Sequence, residues 1–227
     1  MGFHFDKFIV NLLEILPYLK TTLLVAAASL FFSLLLGGIT AMGVLGKNPV
    51  GRAVGKAYIT LMRCVPPIVL MFVVYYGAPV LVLRLTGKNI NSLDVVYFAI
   101  FSLSILHGAG MAELMRAAYL SVDKGQQEAA VSIGLTSFQA FYRIVLPQAA
   151  VAAIPVLGNM VVSMLKDGAL AYSIGVVDIT GRASYVIAMN LGGYVLETYL
   201  GLALIYWLLS LGTAKGFKVL EQKLGRG

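Results

Sequence analysis

Long apolar blocks, each free of charge and parted by short polar stretches, organise this chain. Thr21 to Leu45 carries no charged residue, and its LLVAAASLFFSLLLGG is rich in the small side chains that let helices approach closely in lipid. Cys64 to Leu83 is a second uncharged block that extends back toward Tyr58, where Pro66 and Pro67 predict a kink or an irregular start. Val95 to Ala112, Ala149 to Leu165 and Tyr194 to Thr213 follow, the last tolerating Glu197 near its edge. A helix needs about 17–25 apolar residues to cross about 30 Å of hydrocarbon. The pattern therefore predicts an all-α, polytopic membrane protein of five spans, with its termini on opposite sides.

Composition agrees with the pattern. The 227 residues are 59% hydrophobic and only 12% charged, with mean hydropathy +0.89, whereas a soluble domain carries about 25% charge. Too little charge is present to cover a surface facing water. No repeat, low-complexity tract or linker divides the chain, so residues 1–227 are expected to form one transmembrane domain. Cys64 is the single cysteine and allows neither an internal disulfide nor paired metal ligands. The N-terminal run holds Asp6 and Lys7 without the basic, apolar and small-residue layout of a cleavable signal peptide, so none is expected.

Basic residues in short loops orient a membrane protein, the richer side being cytoplasmic. Lys47, Arg52, Lys56, Lys124, Arg143, Lys215, Lys218, Lys223 and Arg226 fall on one side. Lys7, Lys20, Arg84, Lys88 and Arg182 fall on the other. Nine against five predicts the N-terminus outside and the C-terminus in the cytoplasm. The net charge of +7 then reads as topology and contact with anionic lipid. A nucleic-acid partner would require basic residues gathered on one soluble face with aromatics between them, and no such module is present.

One loop departs from this apolar pattern. Residues 121–147 read as a cytoplasmic segment in which Asp123 caps a short helix and Glu128, Ala129, Ala130 and Ile133 run helically. Gly134 fits a turn into a second helix, where Leu135, Phe138, Phe141, Tyr142 and Val145 keep an apolar spacing until Pro147. Two readings are open on periodicity alone: an interfacial helix lying on lipid headgroups, or a surface offered to a partner.

The stretch EAAVSIGLTSFQAFYRIVLP resembles the cytoplasmic signature of the membrane subunits of ABC importers, carried here by Glu128, Ala129, Ala130, Gly134, Ile144, Leu146 and Pro147. Ala112-Glu113-Leu114-Met115-Arg116, Val122-Asp123-Lys124-Gly125-Gln126, Leu146-Pro147-Gln148-Ala149, Lys166-Asp167, Arg63, Pro66 and Tyr75-Tyr76-Gly77-Ala78-Pro79 resemble the polar amino-acid permease branch, which includes cystine-, histidine- and glutamine-type permeases. The resemblance implies a type I importer permease of a bacterial cytoplasmic (inner) membrane. It also implies a second permease subunit of the same or similar sequence, two cytoplasmic ABC ATPase subunits that bind ATP and Mg, an extracytoplasmic solute-binding protein, and an amino acid as solute. Glu128, Ala129, Ala130, Ile133, Gly134 and Leu135 become the ATPase-docking residues. The chain itself has no GxxxxGK[ST] loop to hold phosphates, so no cofactor and no catalysis are assigned to it.

Ionisable residues inside spans are costly and mark functional positions. Lys166 and Asp167 follow 17 uncharged residues. Either they close span four, Lys166 snorkelling to the headgroups, or Gly168 interrupts the helix and frees backbone groups beside a solute site. Related permeases commonly read Lys-Asp-Thr-Ser here, so Gly168 and Ala169 depart from the family by losing two hydroxyls. Glu113 and Arg116, three apart, share a helix face; a structural pair and a solute contact are both open, and the resemblance favours Glu113 as an acid facing the path. Arg63 reads as a snorkelling residue, or through its Arg-x-x-Pro element as a packing or gating one. His107 is either a cavity-lining group or a partner in an interhelical hydrogen bond, and Gly108 and Gly110 beside it reduce bulk toward a neighbouring helix or solute. It has no companions for a metal site. The remaining alternatives are a structural or regulatory membrane subunit, and an intramembrane hydrolase for which only Ser104 and His107 offer a pairing.

Overall fold

A computed structural model describes residues 2–224 as helices and short connections. Arg226, one of the residues used to orient the chain, lies outside that range. Among the described residues five helical stretches are long and apolar enough to span a membrane: 5–45, 67–86, 95–121, 137–174 and 195–224. They fall on the five blocks expected from the sequence, but most are longer.

The first begins well before Thr21. Helix α1 (Phe5–Ile15) passes through one tight turn at Leu16–Tyr18, where Pro17 removes a donor, into α2 (Leu19–Leu45). Asp6, Lys7 and Glu14 hide α1 from a search for uncharged runs, although its apolar face buries Ile15 against Ile179, Ala183, Leu202 and Ile205. The second span does not reach back to Tyr58. Instead α3 (Pro49–Cys64) is a separate helix, capped by the Asn48 side chain, and the chain is extended at Val65 and Pro66 before α4 (Pro67–Thr86) starts. Two successive prolines leave no amide to continue the ladder, and the residue before each is driven out of the helical region.

Helix α5 (Val95–Ser121) is the centre of the molecule and packs most extensively on α2. Helix α2 buries a stripe of Thr22, Val25, Ser29, Ser33, Gly37 and Ala41, of which Ser29, Ser33 and Gly37 meet α5 directly. Gly37 sits so close to α5 that a Cβ would lie 2.6 Å from that of Met111, and the Ser33 hydroxyl donates to the Ser104 carbonyl at 3.4 Å. Small residues drive such packing in lipid, where no hydrophobic force separates helix from solvent. The α4–α5 contact adds a core of Leu70, Met71, Val74, Phe98 and Leu103, with Tyr75 edge-on to Phe98.

After α5 come α6 (Lys124–Ser132), α7 (Ser137–Ala140), a π-helical turn over Phe141–Val145, α8 (Leu146–Gly168) and a 3₁₀ turn over Ala169–Ile174. Pro147 stands in the first turn of α8, where its missing N–H costs nothing. Span four therefore does not end at Leu165; the helix runs through Gly168 and tightens rather than breaking, until Gly175 turns it with φ 100°. Helix α9 (Ile179–Met189) fills the connection expected to be a loop around Arg182, and α10 (Val195–Leu224) completes the fold. Asp178 caps α9: its Oδ1 accepts from the amides of Thr180 and Gly181 at 3.0 and 2.8 Å, and its Oδ2 accepts from the Thr22 hydroxyl at 3.4 Å. Burial pushes this carboxyl above its ordinary range, against the pull of those bonds.

Candidate functional site

The polar residues singled out in the sequence fall into three places. The first is the α6–α7 unit at the end of the molecule where α5 finishes. Asp123 Oδ1 accepts from the Gly125 amide at 2.6 Å and starts α6. Its end is closed by two amide bonds, Leu135 to the Ala130 carbonyl at 3.2 Å and Gly134 to Val131 at 3.0 Å. That pairing, with Gly134 at φ 96°, is a Schellman closure, which needs a residue without a Cβ at the left-handed position. Thr136 then opens α7 with a reciprocal capping box: Gln139 donates its amide to the Thr136 hydroxyl, and the Gln139 side chain accepts the Thr136 amide. A helix, a tight turn and a second helix are thus fixed locally, as the spacing of Glu128, Gly134 and Leu135 predicts.

Within this unit Ala130 is buried, while Glu128 and Ala129 are exposed and Ile133, Phe138 and Tyr142 expose 82%, 74% and 62% of their surface. Phe138 and Tyr142 stack nearly parallel, 6.4 Å between centroids. Apolar side chains held outward by two capped helices form a surface suited to a partner groove or to lipid.

The second place lies halfway along α5. His107 is buried, and its Nε2 stands 3.2 Å from Oδ2 of Asp167 on α8. At 1.5 Å per residue, His107 is about 18 Å from one end of α5 and about 21 Å from the other, so the contact lies halfway along α5. On α8 the same contact falls one residue before the end of the helix, where the 3₁₀ turn begins. His107 Nε2 has no aligned hydrogen-bond partner among the described residues, so the two side chains meet across the helices at 3.2 Å without a formed hydrogen bond. Lys166, adjacent in sequence and so about 100° around the helix, is exposed. Gly110 lets α8 close on α5, since a Cβ there would meet Met160 Cε at 2.6 Å; Gly108 does the same for Tyr58 of α3. The two glycines serve neighbouring helices.

The third place is a cavity of about 600 Å³ between the end of α2, α3 and α5, lined by Arg52, Lys56, Arg63, Glu113 and Arg116. Glu113 and Arg116 form a bidentate pair, Arg116 Nε donating to Oε2 at 2.9 Å and Nη2 to Oε1. Both Glu113 oxygens are engaged by Arg116, and the carboxylate remains partly exposed on the cavity wall. Arg63 is exposed in the last turn of α3, before the break at Val65, not at the start of the second spanning helix.

Sequence reasoning named His107 and Asp167 separately and missed their pairing. It also missed Arg52 and Lys56 as partners of Arg63. The signal for the latter was present, because positions 52, 56 and 63 recur at helical spacing. Among the described residues no group of three His, Cys, Asp or Glu side chains is placed to hold a metal ion.

Residues 14–226 match the sequence family described as binding-protein-dependent transport system inner membrane component. The chain is 41% identical to the L-cystine transport system permease protein TcyL of Bacillus subtilis (strain 168), over 91% of this chain and 85% of that protein. It is 38% identical to the probable amino-acid permease protein YxeN of the same organism, over 88% and 85% of the two chains. A solved structure described as an amino acid ABC transporter with histidines superposes with TM-score 0.84 and 27% identity, covering 98% of this chain and 100% of that one.

Proposed function

The chain belongs to the family of binding-protein-dependent transport system inner membrane components and is a multi-pass inner-membrane permease subunit; from that premise we propose that it forms the solute path of an ATP-driven amino-acid importer. In this reading residues 1–227 are one transmembrane domain, and segment 121–147 transmits the action of two cytoplasmic ATPase subunits that bind ATP and Mg. A second permease subunit completes the path, and an extracytoplasmic solute-binding protein delivers the solute. The α6 end lies in the cytoplasm and the N-terminus outside, in keeping with the distribution of Lys and Arg.

The observation that carries the coupling is the exposed apolar surface of the α6–α7 unit. Glu128, Ala129, Ala130, Ile133, Gly134 and Leu135 build a rigid projection whose outward side chains have no partner within the described chain. An interfacial helix would need no Schellman closure and no capping box to lie on lipid.

An amino acid brings an ammonium and a carboxylate into the path. Asp167, which meets α5 halfway along its length, receives the ammonium, His107 lines the same position, and Lys166 receives the carboxylate. Glu113, paired with Arg116, is the second candidate acid; Arg63 flanks it at the mouth of the path. The names of the relatives make cystine the first solute to test. The test is uptake of radiolabelled amino acids into vesicles holding the permease, its ATPase and its binding protein. ATP-dependent uptake of one or more amino acids is expected; uptake confined to sugars, metal ions or phosphate would overturn the solute class.

A further inference from the structure

His107 is ionisable and buried, and lining a path uses neither property. Its Nε2 stands 3.2 Å from Asp167 Oδ2 and has no aligned hydrogen-bond partner among the described residues. The hydroxyls nearby are committed elsewhere: Ser104 donates to the Ile100 carbonyl at 2.6 Å, Ser33 to the Ser104 carbonyl at 3.4 Å, and Tyr58 to the Ile105 carbonyl. The Asp167 side chain is 28% exposed against 9% for His107. The imidazole is therefore the inner member of the pair and the carboxylate the outer one.

Other charges stand apart from this pair. Helix α2 has no ionisable residue from Thr21 to Gly46, α4 brings Tyr75 and Tyr76, the 3₁₀ turn brings Tyr172, and α3 brings Tyr58. On α8, Lys166 is exposed and turned about 100° from Asp167. On α5 itself the next charges are Glu113 and Arg116, about 9 and 14 Å along the axis and bound to each other, with Arg52, Lys56 and Arg63 of α3 around the same cavity. Among the described residues Asp167 is the one charged group paired with His107.

We propose that His107 is a positioning residue whose proton sets the charge that Asp167 shows to the path. This rests on the reading of Asp167 as receiver of the solute's ammonium. With the imidazole neutral, the pair carries one negative charge and draws the ammonium. With the imidazole protonated, the pair sums to zero, and the carboxylate is held by the cation behind it. Water does not screen two groups in contact inside a protein as it screens exposed charges. Imidazole is the side chain that ordinarily changes charge between pH 5 and 8. Proton and solute thus compete for one carboxylate, and acid weakens the ammonium site.

The test is the pH profile of uptake into vesicles holding the permease, its ATPase and its binding protein, with equal pH on both sides, from 8 to 5.5. The solute is radiolabelled cystine, or the amino acid that wild type takes up best. The KM of wild type is expected to rise about tenfold across this range, with kcat altered far less. In His107→Gln, which keeps a neutral polar side chain, KM should stay within about twofold; a merely structural histidine would shift KM equally at every pH. Solute binding to the isolated binding protein, measured at the same pH values, removes that protein's own pH dependence. If His107→Gln does not insert, nitrogen-15 histidine NMR decides. His4 is the other histidine of the chain, so His4→Gln leaves His107 as the sole imidazole of a labelled permease in the assembled complex. Imidazolium should appear as pH falls, and saturating the complex with the same amino acid should return it to the neutral form. A flat KM in wild type, the wild-type slope in His107→Gln, or an imidazole neutral throughout or indifferent to the amino acid would each overturn the proposal. Wild-type uptake by Asp167→Asn would instead defeat the reading beneath it, whereas uptake that needs Asp167 and ignores pH defeats the role of His107 alone.

Discussion

His107 on α5 and Asp167 on α8 bring an imidazole nitrogen and a carboxylate oxygen to 3.2 Å from each other halfway along α5. A carboxylate held there without an aligned hydrogen bond remains able to exchange partners, as a transit site requires. Asp167→Asn is expected to lower vesicle uptake at least about tenfold, because the proposed ammonium site loses its carboxylate charge. Assembly with the ATPase, read by co-purification, should be retained. Uptake at the wild-type rate would remove Asp167 from the path.

Gly134 supplies the left-handed turn that ends α6, at φ 96°. A Cβ at this position would meet nothing within 4 Å, so the first effect of Gly134→Trp is on the backbone, at a cost of about 1–2 kcal/mol. Glu128→Lys leaves the backbone alone and reverses the charge of an exposed side chain. Both variants are expected to insert and fold yet to separate ATP hydrolysis from solute uptake. Wild-type coupling in both would dismiss the α6–α7 unit as the docking surface.

Orientation is open to direct labelling. Cys64 is exposed and must first be replaced by serine. In that background a cysteine at Lys88 should react with an impermeant maleimide from outside, and one at Gly125 only after the membrane is opened. The opposite pattern would invert the topology.

Asp178 gives a pH prediction. Its carboxyl is raised by burial, so the folded protein holds this proton more tightly than the unfolded chain does. The stability that follows is fully present below the ordinary carboxylate pKa and is lost as pH rises through the raised value. Thermal unfolding in detergent should therefore show Tm falling across that window, and Asp178→Asn should flatten this part of the slope. An identical slope in the variant would show that another group titrates.

The five spans, the Asp123 cap and the turn at Gly134 were legible because each is written in local spacing or in one residue's backbone preference. Helix α1 was not, since Asp6, Lys7 and Glu14 interrupt its apolar run while lying on its polar side. Helix α9 is too short for a spanning pattern, and Arg182 within it reads as loop charge, although that side chain pairs with Glu14 at 3.1 Å. The extent of span four was hidden by Lys166 and Asp167, which end an uncharged run without ending the helix. The contact of His107 with Asp167 depends on how α5 and α8 pack, and no spacing within either helix encodes it. Arg52, Lys56 and Arg63 were individually visible as loop or boundary charges; their common side appeared only once α3 was separated from α4 at Pro66.

The uninterrupted run from Ser137 to Ile174 has a mechanical consequence. From Leu146 to Asp167 the helix is about 32 Å long, and Pro155 within it lacks the N–H for one bond of the ladder. The regular ladder gives way at two points along this run, the π-helical turn over Phe141–Val145 and Pro155, and under the proposed coupling a push applied at Phe138 passes through both before it reaches Asp167. In that reading the displacement left at Asp167 is what remains after those two points have yielded.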